Sequence, residues 1–322
     1  MDSPPPAAPP LLEARDARIA VDDVIAVERL TCATRGDRVL CAGDTQALLA
    51  ALTGVPLHVG RGAAPAGPAA SHDLPGDGEP PGEARVVAGT LTLAGRDVAS
   101  GAHRALCGAA PLDPPLPPSW TAEAYVAWSA RLGGAPARAA RDLASAALAR
   151  VGLAASRARV VQALALPERR ALVLAGALAL SPALVIIEDP LSGLEGASAS
   201  FVLSAVTAAT EGRRALVSAA RLDLGGPAAA LARGATHVLV LSVGEVAFDG
   251  ALGDLAAGSR VYALAVHANT GPLRDELAAR GIALHGGPVR FSATLPPGAT
   301  TRDVLLAAAR ARAPLIELSP IA

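Results

Sequence analysis

The residues best suited to chemistry are two adjacent acids, Glu188 and Asp189, which follow an unbroken apolar run from Ala183 to Ile187. Paired carboxylates at the end of a buried strand are candidates for acid–base chemistry. A second candidate is "DRVLCAGDTQALLAALTG", Asp37 to Gly54, an apolar run that ends in Gly43 and leads into a helix-length segment from Thr45. Strand, tight turn and helix is the layout in which backbone N–H groups at a helix start receive phosphate. Gly43 lies in that turn, and Thr45 and Gln46 at the helix start. No metal site is expected. Cys32, Cys41 and Cys107 are odd in number and lack ligand spacing, which suits small buried hydrophobes in a reducing compartment.

The elements that must position these groups follow from composition and periodicity. Apolar residues make up 52% of the 322 residues but aromatics only 2%, so the core must be built from Ala, Leu and Val on helices and buried strands. This favours α/β layering. The formal charge is −1 with basic residues scattered, which removes the electrostatic footprint that nucleic-acid binding needs. Every one of those basic side chains is Arg; the chain contains no Lys. Ala171 to Ile187 is a run of 17 uncharged residues, short of the roughly 20 that span a membrane and broken by Ser181-Pro182. A buried helix followed by a buried strand is the expectation there.

In chain order, residues 1–22 carry an acid and a Pro-rich run in place of a signal sequence and read as a disordered lead-in. "VIAVERLT" from Val24 alternates as a strand. Residues 57–86 are Gly, Pro, Ala and acid and read as a flexible insertion. Residues 121 to 153 are helical in period, with Gly152 as a stop. Trp120 and Trp128 flank the start of this part, as partner-facing anchors or as core packing. Residues 260–322 alternate short strands with amphipathic helices, a small α+β domain, ferredoxin-like or a fragment of it. His267 and His285 read as surface or packed residues of that domain.

The stretch "ALVLAGALALSPALVIIEDPLSGLEG", Ala171 to Gly196, resembles the core of ABC-type ATPases, in which a helix leads into the Walker B strand, two acids follow, and an S-G-L-D turn closes the segment. "VVAGTLTLAGRDV" from Val86 is similar to the family's G-T-V-x-x-x-G-x-D-V hairpin, and "THVLVLSVGEVAFDGALGDL" from Thr236 to its closing hairpin. The resemblance, to ATP-binding subunits of ABC-2-type exporters, covers about residues 24–255. It implies an α/β fold with an ABC-type P-loop NTPase-like core over 23–256, a helical subdomain over 118–170, and an accessory α+β C-terminal domain over 260–322.

At each position where that family touches nucleotide, this chain differs. Matching helix ends places Thr45 at the Lys of the phosphate loop and Gln46 at its Mg-binding Ser or Thr, in a shortened loop where Asp44 adds negative charge. Leu112 takes the place of the Q-loop Gln, and Leu164-Ala165-Leu166-Pro167-Glu168 that of the L-S-G-G-Q signature. Ala220 stands at the switch His, and Glu188-Asp189 reverses the family's Asp-Glu order, where a shift of about 1 Å can cost ~100-fold in rate.

The expectation is a subunit with no catalytic residues, in which Asp189 and Ala220 are degenerate equivalents, and with no cofactor. The alternative is an active subunit with divergent motifs that binds ATP and Mg through Gly43, Thr45, Gln46, Glu188 and Asp189. A regulator that left transport is a third reading. The partners implied are an ABC membrane permease subunit, a competent ATPase paralogue, or a second copy in a dimer. The location implied is cytoplasmic, peripheral at the inner face of the membrane.

Overall fold

Alternating burial along the first described strand ties the beginning of the chain into the main sheet. The computed structural model describes residues 9–57, 82–222, 226–258, 260–287 and 289–321. Strands β1 (Leu12–Val21) and β2 (Val24–Ala33) form an antiparallel hairpin. The lead-in expected over 1–22 is therefore corrected from Leu12 onward, where Leu12, Ala14, Ala17 and Ile19 are buried, with a register shift around Asp16, whose φ is 47°; residues 1–8 of that expectation lie outside the described residues. The bulge breaks the period of two that would have marked the strand.

Strand β3 (Arg38–Gly43) runs into helix α1 (Gln46–Thr53), which ends on Gly54 in a left-handed conformation. Residues 58–81, most of the expected insertion, lie outside the described residues. Leu57 and Gly82 exchange backbone hydrogen bonds of 2.8 and 2.6 Å, so the chain returns to the point it left. The last residues of the expected insertion, from Ala84, instead begin β4 (Ala84–Leu93), which turns at Ala94-Gly95 into β5 (Arg96–Asp97). Then come β6 (Cys107–Ala110), α2 (Ala122–Leu132), α3 (Ala137–Arg150) and α4 (Leu166–Leu178), the helical subdomain and the helix that leads out of it. The chain continues through β7 (Leu184–Ile187), α5 (Gly196–Thr210), β8 (Arg214–Ala219), α6 (Ala228–Gly234), β9 (His237–Ser242), β10 (Glu245–Gly250) and α7 (Leu252–Gly258).

The first ten strands form one sheet in the order β5-β4-β1-β2-β10-β9-β3-β8-β7-β6. Its β9-β3-β8-β7-β6 part is parallel, as helical crossovers require. The middles of these strands are largely apolar because both faces are covered. Val185 and Ile187 of β7 join a cluster with α2 to α5, while Leu184 and Ile186 join one with α1 and the β1–β2 hairpin.

Strands β11 (Arg260–Val266), β12 (Ala283–Gly286), β13 (Arg290–Leu295) and β14 (Leu315–Pro320) form a second, antiparallel sheet in the order β12-β13-β11-β14. Helices α8 (Thr270–Ala278) and α9 (Thr301–Arg310) complete a β-α-β-β-α-β unit. The short β12 makes it a full ferredoxin-like domain instead of a fragment. Phe291, Leu273, Leu277 and Val304 lie in its own core, yet Val261 and Ile321 belong to the core of the large domain. The fold is thus α/β with a helical subdomain and a small α+β domain, and among the described residues no helix is long and apolar enough to cross a membrane.

Candidate functional site

Parallel strands β3, β8 and β7 end side by side, and the predicted residues collect at that edge. Gly43 closes β3, Asp189 follows β7, and Ala220 follows β8. Helix α4 lies against the strand pair from the side of the helical subdomain and carries Arg170, which is buried.

The acids are held by protein groups. Glu188 accepts a hydrogen bond at Oε2 from the Leu112 backbone N–H at 3.0 Å. Leu112 therefore contributes its main chain where the family would use a side-chain amide. Asp189 stands at φ 34° and donates its backbone N–H to Ser218 Oγ at 3.0 Å. Burial raises the pKa of both carboxyls. Opposing this, the Leu112 N–H and the Arg170 guanidinium favour the charged Glu188. The Ala220 N–H, the Ser192 side chain and Arg170 do the same for Asp189. Asp189 and Ala220 are therefore neighbours, joined through the alanine's backbone. Arg170 also binds Asp113 at 3.0 Å, so its one guanidinium serves three carboxylates. Sequence reasoning did not single out Arg170, Asp113 or Ser218 as site residues; the local signal at Arg170 is one charge among three at the start of α4, beside Glu168 and Arg169.

The β3–α1 turn is different in kind. A phosphate cradle needs consecutive free N–H groups converging on one point. Here the Asp44 N–H donates to the Leu241 carbonyl at 3.0 Å and the Thr45 N–H to the Gly43 carbonyl at 2.8 Å. The Asp44 carboxylate accepts from the Val243 N–H at 2.9 Å, tying the turn to the β9–β10 connection. Gly43 has φ 86°, and a Cβ built on it would lie 2.0 Å from the Leu241 carbonyl oxygen. Close approach of β9 therefore accounts for the glycine. Thr45 is buried and Gln46 exposed, and neither side chain meets the acid pair by a hydrogen bond. The Asp44 and Thr45 N–H groups and the Asp44 carboxylate are thus all engaged within the protein.

At the signature position Ala165 is the N-cap of α4, with Pro167 in its first turn. Glu168 reaches back to the Ala165 N–H at 2.9 Å and also accepts from Ser156 Oγ at 2.9 Å and Arg159 Nη1 at 2.6 Å. Burial pushes the Glu168 carboxyl up, but these three donors outweigh it and leave the pKa lowered. The carboxylate fills the helix start that would otherwise face an anion. Glu168→Ala is expected to lower stability by about 1.5 kcal/mol in urea unfolding, with Glu168→Gln recovering most of the loss. Because the pKa is lowered, this contribution exists above the unfolded carboxylate range and fades as pH falls through the folded value. A loss that stays constant into acid would refute the assignment.

Burial raises the thiol pKa of Cys32 to about 12 and of Cys107 to about 11, and pushes the fully buried Cys41 up as well, so none is a reactive thiolate. Among the described residues no group of three His, Cys, Asp or Glu could hold a metal ion. Trp120 and Trp128 meet edge to face at 5.7 Å; Trp120 is half-buried and Trp128 exposed.

No protein-family profile matches the sequence, and no curated protein matches it. Solved structures do. The chain is similar to cbiO1 from Clostridium perfringens, part of the ABC transporter complex cbiONQ, with a TM-score of 0.58 at 14% identity over 77% of this chain and 91% of that one. It is similar to an ATP-binding subunit of an ABC transporter, with a TM-score of 0.54 at 16% identity over 92% of this chain and 98% of that one. A nucleotide-free ATP-binding cassette from an ABC transporter gives a TM-score of 0.57 at 13% identity over 77% and 94%. The fold is that of the ATP-binding subunit of ABC transporters.

Proposed function

We propose that the chain is a non-catalytic ABC-type subunit, which assembles with a membrane permease or a competent ATPase paralogue and neither binds nor hydrolyses ATP. The observation that carries this reading is the β3–α1 turn. Its first N–H groups are spent on protein carbonyls, and Asp44 is spent on β9–β10. A triphosphate has no donor array to replace its hydration there, and the chain has no Lys to supply a compact charge.

The acid pair supports the same reading. A carboxylate waiting for Mg keeps lone pairs free for metal-bound water, whereas Glu188 accepts from the Leu112 N–H, and Ala220, Ser192 and the Arg170 cation favour the charged form of Asp189 from within the protein. The family's second half-site is also closed, since Glu168 occupies the start of α4. Pairing with an intact paralogue therefore gives no good composite site. The cbiO1 structure belongs to a transporter complex, and by that analogy this chain would sit at the cytoplasmic face of a permease.

Titration of the pure chain with a fluorescent ATP analogue and Mg is expected to show no saturation up to millimolar concentration. Saturable micromolar binding would overturn the reading. It would favour an active subunit with divergent motifs, in which turnover should vanish with Glu188→Gln or Asp189→Asn. Pull-down without any permease would instead favour a regulator outside transport.

A further inference from the structure

Gly43, Ala42 and Ala219 leave little side-chain bulk at the ends of β3 and β8, the edge at which open parallel sheets take their ligands. An apolar socket remains there.

We propose that the socket is filled from within: Ile321 is an intramolecular plug that occupies the vacated phosphate-loop position and latches the C-terminal domain over the crevice. Ile321 is buried and shares a cluster with Ala42, Val217, Ala219, Leu222 and Val261. Its Cγ2 lies 3.2 Å from the point where a Gly43 Cβ would stand. The Leu222 N–H donates to the Ile321 carbonyl and the Ile321 N–H to the Val261 carbonyl, each at 2.8 Å. One residue past β14 therefore ties the segment after β8 to the first strand of the small domain.

A second contact lies beside the first. A Cβ on Gly286, the last residue of β12, would come within 2.9 Å of Val243 Cβ, and Val243 is the residue whose N–H the Asp44 carboxylate holds. The turn that replaced the phosphate loop is thus braced toward the small domain at Ile321 and, through Val243, at Gly286. Charge agrees with the docking: Glu317 on β14, whose pKa is lowered first by Ser319 and then by Arg290, also feels Arg221 beside Ala220. Any ligand reaching the ends of β3 and β8 must displace this plug, so the small domain acts as a cover on the site and not only as an appendage.

The inference rests on the missing phosphate loop proposed above, but not on whether the chain serves a transporter. Hydrogen exchange on the full chain tests it. In Ile321→Asp the Leu222 amide is expected to exchange at least about tenfold faster than in the unaltered protein, because its acceptor leaves with the plug. The Asp44 amide, bonded to Leu241, should stay protected, and Ile321→Val should behave as the unaltered protein. Unchanged exchange at Leu222, or an equal rise at Asp44, would overturn the plug. If Ile321→Asp does not fold, Ile321→Ala must give the same order of amides. Adding the Mg–ATP analogue separates the two ideas: saturable binding by the unaltered chain would overturn the missing-loop reading, whereas a failed exchange pattern at Leu222 with no binding would overturn the plug alone.

Discussion

Arg170→Ala is expected to lower the unfolding free energy by about 3 kcal/mol at pH 8, and by distinctly less at pH 5. The salt bridge to Asp113 cannot supply most of this, because Asp113 is 57% exposed and a pair with a solvated partner is worth at most about 1 kcal/mol. Glu188 and Asp189 supply the rest. Both are largely withdrawn from water, and Arg170 is the cation whose field favours their charged forms. Without it each acid must stay charged and unpaired or take up a proton at neutral pH.

The direction with pH follows from the sign of the shifts. Both acids already have raised pKa values in the folded protein, so folding binds protons between the unfolded and folded values. That contribution to stability is present below the unfolded carboxylate range and is lost as pH rises through the folded values. Removing Arg170 raises them further and steepens the loss. Urea unfolding at the two pH values measures the difference, and a double-mutant cycle with Glu188→Gln isolates the shared part. Equal losses at pH 5 and pH 8, or a double variant no better than Arg170→Ala, would show that Arg170 acts by packing alone.

The central strand β7 was legible because burial on both faces leaves nothing but Val, Ile, Leu and Ala between breaks, from Ala183 to Ile187. The hairpins were legible through their resemblance to family motifs, and the structure supplies the physical reason: Ala94-Gly95 and Val243-Gly244 each take positive φ at both residues. Strand β1 was missed because the bulge at Asp16 breaks its alternation and a Pro-rich run precedes it. Arg170 was missed for a different reason. A guanidinium that neutralises acids from two other segments is a long-range relation, and no local period records it. Ile321 shows the same limit, since its neighbours Gly43 and Leu222 are remote in sequence. Gly43 itself was seen, but its meaning changed: the sequence suggested the remnant of a phosphate loop, and the contact with Leu241 gives a packing reason.

That reason carries the second large effect. Gly43→Ala is expected to cost about 4 kcal/mol, combining a left-handed conformation worth roughly 1–2 with a clash worth up to about 3. The clash partner is a backbone carbonyl 2.0 Å from the new Cβ, and it already accepts the Asp44 N–H, so it cannot rotate aside. Relief would require β9 to move away from β3, which breaks the parallel pairing of Gly43 with Leu241. Gly101 provides the control: its φ is 73°, but a Cβ there meets nothing within 4 Å. Gly101→Ala should therefore cost only the conformational part, about 1–2 kcal/mol. Chemical denaturation of the two variants reads the contrast directly. If Gly43→Ala costs no more than Gly101→Ala, close strand approach is not what the glycine serves, and the case for a phosphate-contacting backbone at Gly43 reopens.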